Sequence, residues 1–353
     1  MEAAAVLKQC PPEHREWVDR LRHGGSMPLS SIPDTTSNSW ACAPGDLFYV
    51  RGADYMKNKT KVPAGDWLLQ PLAFDFLQSS SQISHIMNHP QCRVRTALDA
   101  ALAASDPSSS EPFVWVFNVQ LGNKTHHSMV YYFVTFSSPP PGSLMQKFLD
   151  GDDSYRNSHL KLLLRLPEAP WLVQMVVGER WPVCLMGKVV TCRYKRGKNY
   201  IEMDVDSGSA VLTRAAVKVA FGLAPLIVSD IAFLLEGNHP DELPERILGA
   251  LRQTKMEPSS APFIDMSLVS EGDGLNYKQV PSQIDMMSEV ITLGEVNGNN
   301  KHMKGVTVKF SRLWSSSSKD VRKVESTKHK RSVTAEEEER GSGEGRVSFS
   351  YHQ

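Results

Sequence analysis

Phe113-Val-Trp-Val-Phe-Asn-Val-Gln-Leu121 and Ser128-Met-Val-Tyr-Tyr-Phe-Val-Thr-Phe136 decide the fold class. In the first segment Phe113, Trp115, Phe117, Val119 and Leu121 fall at every second position. In the second, Val130, Tyr132, Val134 and Phe136 do the same. A period of two is the signature of a strand. The six residues Gly122 to His127 are a hairpin-sized connection, so the two strands pair antiparallel. Val114 and Val116 make the opposite face apolar as well, which predicts cover on both sides of the sheet.

Outward from this hairpin the pattern repeats with helices inserted. Leu68–Leu77 reads as a strand with Leu72, Phe74 and Phe76 on one face, and Pro71 predicts a bend or an edge there. Arg93–Ala104 carries Val94, Leu98, Ala101 and Leu102 on one helical stripe and stops at Ser105-Asp-Pro107. Ser143–Leu149 reads as a short helix. Leu160–Leu166 and Trp171–Val177 read as strands parted by Pro167 and Pro170. Val189–Arg196 and Tyr200–Asp206 form a second hairpin turning at Gly197-Lys198. Strands in hairpins with helices between them define an α+β class with a mainly antiparallel sheet.

Ala215–Leu235 is the most apolar stretch of the chain and is long enough to cross a bilayer. Lys218 and Asp230 inside it, and Pro225 interrupting it, predict a buried helix pair packed on the sheet instead. Pro244–Thr254 reads as an amphipathic helix with Ile247, Leu248 and Leu251 inward. This layout is compatible with a START-like fold. Residues 1–39 read as a short helix, with Trp17 and Leu21 on one face, followed by a flexible linker. Residues 40–256 read as the domain. Residues 257–353 read as a mostly disordered tail, basic over 301–331 and acidic over 336–339.

Composition narrows the function classes. Lys plus Arg and Asp plus Glu both number 39, so no global field directs the chain to nucleic acid. The five cysteines, Cys10, Cys42, Cys92, Cys184 and Cys192, include no CxxC pair, which argues against a zinc ribbon. No basic start followed by an apolar run opens the chain, so no signal peptide is expected. Together these features predict an intracellular protein, cytosolic to peripheral membrane.

The chain holds no nucleophile elbow, phosphate-cradling glycine loop, zinc-binding HExxH or dinucleotide turn. No catalytic residue, metal or cofactor is expected. His85 and His89, four apart, could share a helix face, but two imidazoles do not complete a metal site. His126-His127 reads as a solvated turn. Two acidic groups stand out, Asp150, Asp152 and Asp153 after a helix, and Glu202, Asp204 and Asp206 at strand period. The second group reads as a solvated face opposite Arg193 and Lys195. Carboxylate rows of this kind also serve as general acids or metal ligands.

Basic residues with aromatic neighbours offer the remaining signal. The hairpin tip Arg193, Lys195, Arg196 and Lys198 is flanked by Tyr194 and Tyr200. The tail segment holds Lys309, Arg312 and Trp314 among ten Lys or Arg over 301–331. Such surfaces are drawn to anionic lipid. No specific nucleic acid is expected.

The ordered motifs of the central region resemble a known family. They include Phe48-Tyr-Val-Arg-Gly-Ala-Asp-Tyr55, Phe148-Leu-Asp-Gly-Asp-Asp153, Pro170-Trp-Leu-Val173, Leu185-Met-Gly-Lys188, Asn199-Tyr-Ile-Glu-Met-Asp-Val-Asp206 and Glu242-Leu-Pro-Glu-Arg246. Over Trp40–Thr254 the chain is similar to the plant Enhanced Disease Resistance 2 C-terminal domain, long called a domain of unknown function. Larger members of that family place a pleckstrin-homology domain and a START lipid-binding domain ahead of it, and this chain reads as a short form lacking both. The resemblance implies a non-enzymatic, lipid- or membrane-associated regulatory module in plant defence or cell-death signalling. Its expected partners are anionic lipid or phosphoinositide, and proteins through the tail. A protein-interaction scaffold without lipid binding is the alternative, and an enzyme using one acidic row the third reading.

Overall fold

The computed structural model describes residues 10–32, 36–104, 110–177 and 183–269, and two short segments further on. In chain order, helix α1 (Arg15–His23) precedes β1 (Ser39–Cys42), a small hairpin of β2 (Tyr49–Arg51) and β3 (Lys61–Pro63), and β4 (Gln70–Leu77). Helix α2 (Arg93–Ala104) leads into the hairpin β5 (Phe113–Gln120) and β6 (Ser128–Thr135). Helices α3 (Leu144–Asp150) and α4 (Asp153–His159) follow, then β7 (Leu160–Glu168), α5 (Trp171–Val177), β8 (Val183–Leu185) and α6 (Met186–Val189). The hairpin β9 (Thr191–Arg196) and β10 (Tyr200–Asp206), helix α7 (Val211–Gly222), β11 (Val228–Leu235) and β12 (Ile247–Thr254) complete the body. A separate unit, residues 278–353, is described only where Ala335–Glu336 pairs antiparallel with Ser348–Phe349.

Two five-stranded sheets carry the architecture. Sheet I runs β1-β12-β11-β7-β8 and sheet II runs β4-β6-β5-β10-β9. Within them every pairing is antiparallel except β10 with β5. The class is α+β, and neither sheet closes into a barrel. The inner faces meet in one aromatic core. It holds Phe74, Phe76, Trp115, Phe117, Tyr131 and Phe133 from sheet II and Phe233, Leu235 and Leu251 from sheet I. The outer face of sheet II is covered by α1, α2 and the 83–92 segment, and that of sheet I by the β2–β3 hairpin.

The central hairpin forms as its alternation predicts, from Phe113↔Thr135 to Gln120↔Ser128. Pro71 lies on an edge strand, where a missing donor costs least. A bulge between Pro71 and Ala73 shifts the register. As a result Leu72 packs on the outer face, while Phe74 and Phe76 point inward.

Three predicted elements change type. Trp171–Val177 is helical, not extended. Pro170 sits just ahead of its first turn, and the Pro170 carbonyl accepts from Val173 N and Gln174 N. The expected helix pair over Ala215–Leu235 is one helix, α7, followed by strand β11. The expected helix at Pro244–Thr254 is strand β12. A strand buried on both faces reads as a continuous apolar run, and periodicity cannot separate it from a buried helix. Gly249 in β12 marks a close approach: a methyl group there would collide with the Phe133 ring of the facing sheet.

Helix α1 is part of the body. Trp17, Val18 and Leu21 are buried on sheet II. The enclosed Arg22 guanidinium donates to Pro71 O (2.7 Å) and Cys42 Sγ (3.3 Å). Past the last strand, Ala261 and Ile264 are buried, and Ile264 N donates to Gln78 O at 2.8 Å.

Candidate functional site

Two of the three carboxylates of the β10 row, Glu202 and Asp204, do not face solvent, while Asp206 is half-buried. Glu202 and Asp204 are each 1% exposed. They project from the outer face of sheet II into the segment preceding α2. Ile86 N and Met87 N donate to the two oxygens of Glu202 at 2.7 and 3.1 Å. His85 N donates to Asp204 Oδ2 at 3.0 Å, and Asn118 Nδ2 to Asp204 Oδ1 at 2.7 Å. Three successive backbone amides therefore rest on two side chains. Burial is the main reason both carboxyls are pushed above the usual range, and for Glu202 the neighbouring Asp204 charge adds to it. Arg193 and Lys195 stand opposite in register but form no ion pair with the row among the described residues. The expectation of a solvated, cross-hairpin-paired face is corrected: the segment over residues 83–92 covers it.

The other acidic group is structural at its contacts. Asp152 caps α4 by accepting from Tyr155 N at 2.8 Å, Asp153 pairs with Arg156, and Asp150 pairs with Arg196. His85 and His89 do not share a helix face. They flank a single turn at Ile86–Asn88, with His85 in a left-handed backbone conformation (φ 55°). Among the described residues no group of three or more His, Cys, Asp or Glu could hold a metal ion.

The hairpin tip divides in two. Arg196 is held by Leu149 O and Asp150, and Arg193 is half-buried. Lys195 and Lys198 have no ion-pair partner among the described residues. Lys195 and Arg196 line a cleft of about 550 Å³ with His89, Arg95 and Tyr200. Lys309, Arg312 and Trp314 lie outside the described residues.

A surface unmarked in the sequence reading lies at the other end of the same hairpin. Helices α5 and α7 pack on each other, and α7 buries no residue fully. Trp171 is 63% exposed, Val211 73%, Leu212 72% and Leu226 54%. The two helices carry Arg214 and Lys218 and no acid. The turn before α7 is tied to the start of edge strand β9, because Thr191 N donates to Ser209 Oγ at 2.8 Å. Edge strand β9 thus has exposed apolar helix at one end and free lysines at the other. The missed signal was compositional: Val211–Gly222 is apolar on every side and cationic, which suits a surface helix only if something apolar meets it.

Beneath the start of α7 is a polar cavity of about 310 Å³. His126 and His127 of the β5–β6 loop line it, as do Gln82, Gln120, Asn123, Asp206 and Arg214. The His127 ring lies 4.8 Å from that of Phe221 on α7, and its burial lowers its pKa. No helix among the described residues is long and apolar enough to cross a membrane.

One antiparallel sheet packed on one mixed sheet, with covering helices, makes this a layered α+β domain. Residues 40–257 match the family described as Protein ENHANCED DISEASE RESISTANCE 2, C-terminal, and the chain belongs to that family. An Arabidopsis thaliana protein described as Protein ENHANCED DISEASE RESISTANCE 2-like is 39% identical over 228 residues. The match covers 65% of this chain and 30% of that relative, so the chain spans under a third of the relative it matches. No solved structure matches the chain.

Proposed function

We propose that this chain is a peripheral membrane-binding regulatory module of plant defence signalling, acting by placement and not by catalysis. The observation that carries the membrane reading is the exposed apolar surface of α5 and α7, with its two cations and no acid. Large apolar side chains left exposed on elements without acids mark candidate contact surfaces. Each Leu or Val withdrawn from water is worth about 1.5–3 kcal/mol. Each Arg or Lys brought to an anionic leaflet adds about 1 kcal/mol. Lys195 and Lys198, at the far end of edge strand β9, supply a second, purely electrostatic contact. Defence signalling is suggested by the family's name and by the Arabidopsis relative. Enclosure of Glu202 and Asp204 under the 85–87 amides favours the non-catalytic reading.

The test is sedimentation of the full chain with vesicles of phosphatidylcholine, with and without phosphatidylserine. Recovery with the anionic vesicles is expected, and Leu212→Ser together with Trp171→Ser should reduce it more than tenfold at unchanged melting temperature. A wild-type chain that stays in the supernatant with anionic vesicles at low salt would sink the reading. Self-association through the same helices would instead appear as a concentration-dependent dimer abolished by those substitutions.

A further inference from the structure

We infer that the cavity beneath the start of α7 is a headgroup site for a lipid bearing both a phosphate and free hydroxyls. This rests on the membrane reading above and specifies what that membrane must contain. Ser128 is part of its lining, 1% exposed, and its hydroxyl has no hydrogen-bond partner among the described residues. A buried hydroxyl without a partner is costly and calls for an occupant. Ser128 pairs with Gln120 in register, so both side chains stand on one face and meet the same space. Gln120 is itself fixed, donating from Nε2 to Ile83 O at 2.5 Å.

The charges at the rim have both signs. Arg214 spends its Nε on Gly208 O at 2.8 Å and forms no ion pair among the described residues, which leaves the end of the guanidinium for an anion. His126, which also lines the cavity, is held in a left-handed turn (φ 43°). Asp206 accepts from Gly208 N at 2.9 Å through one carboxylate oxygen, and the other can accept from a hydroxyl. A bare phosphate would meet Asp206 as a repulsive neighbour. A phosphorylated polyol satisfies Arg214 with its phosphate, and Asp206 and Asn123 with its hydroxyls. The volume suits one such headgroup, near the lower bound for ligand pockets, about 300 Å³. Arg214 sits three residues from Val211 on the helix that exposes Val211 and Leu212, so a headgroup held by Arg214 places its chains beside that apolar end.

The experiment is calorimetric titration of the full chain with inositol 1-phosphate and with inorganic phosphate, beside sedimentation with vesicles containing phosphatidylinositol or phosphatidylserine at equal charge. Saturable binding of inositol 1-phosphate is expected, with inorganic phosphate much weaker. Arg214→Gln should weaken it about tenfold. Ser128→Ala, which creates no new unpaired group, should weaken it about threefold while leaving the melting temperature in place. Phosphatidylinositol vesicles should retain more protein than phosphatidylserine vesicles. Equal retention on both, with no calorimetric signal, overturns the headgroup site while the membrane reading stands. Binding of inositol 1-phosphate by a chain that ignores all vesicles keeps the pocket and removes the membrane reading. Binding unchanged in both variants places the ligand elsewhere and overturns the inference.

Discussion

The rings of Phe117 and Phe233 stack across the two sheets, their centroids 4.0 Å apart and their planes 15° from parallel. Phe133 and Tyr131 meet Phe233 edge-on from the same sheet as Phe117. One side chain of β11 therefore joins sheet I to three aromatic residues of sheet II. Phe233→Ala should lower stability by about 3–5 kcal/mol, because the surrounding rings cannot collapse into the space. Chemical denaturation of the variant checks this, and a loss under about 1 kcal/mol would mean that the sheets repack without it.

A second prediction concerns Asp230, fully buried on the outer side of β11. It accepts from Arg165 Nη1 at 2.7 Å and from Arg252 Nε at 2.6 Å. Replacing Asp230 with Ala leaves two guanidinium groups facing each other with no anion between them. A destabilisation of about 3–5 kcal/mol is expected. Asp230→Ala combined with Arg252→Met should recover part of it, as a double-mutant cycle would show.

The carboxyl pair of Glu202 and Asp204 predicts a pH dependence of definite sign. Both folded values lie above the unfolded ones. The folded state therefore holds protons that the unfolded state has released. Their contribution is complete below the usual carboxylate range, about 4, and is lost as pH rises above it through the folded values. His127 works the other way, since its lowered value favours the fold as pH rises through about 6.5. The difference between wild type and Glu202→Gln isolates the share of Glu202. The wild type should lose melting temperature relative to the variant as pH rises, and parallel curves would exclude the mechanism.

At the hairpin tip, Lys195→Glu with Lys198→Glu should weaken recovery on anionic vesicles about tenfold or more at low salt, by removing two attractive charges. The effect should vanish at about 1 M salt, where screening is nearly complete. The apolar substitutions on α5 and α7 should keep theirs. An equal loss at both salt concentrations would indicate damage to the fold.

The sequence reading succeeded where residue types alternate along a strand even though both faces are buried, as the large aromatics and valines of β5 do, or where a helix has a polar face. The β5–β6 and β9–β10 hairpins and α2 show clear periods, and the family motifs bind them into one domain. It failed over β11 and β12, which are enclosed on both faces and display no period at all. It also misplaced the carboxylates. Glu202 and Asp204 alternate with Met203 and Val205 as a half-exposed strand would. Their partners are backbone amides at residues 85 to 87, and an amide has no letter in the sequence. The exposure of α7 was hidden for the converse reason: its composition matches a buried helix.

The parallel contact between β10 and β5, and the pairing of Trp40 on β1 with Gln253 on β12, bear on how the molecule is made. Among the described residues, this edge strand near the start of the domain has its ladder on the last strand of the body, with a single parallel bridge to Leu29 on its other side. A chain emerging from the ribosome exposes Trp40 and Cys42 until residue 254 has been synthesised. Sheet I is then sealed in one late step, and such long-range closure is slow. The interval before it is when a chaperone has most to do.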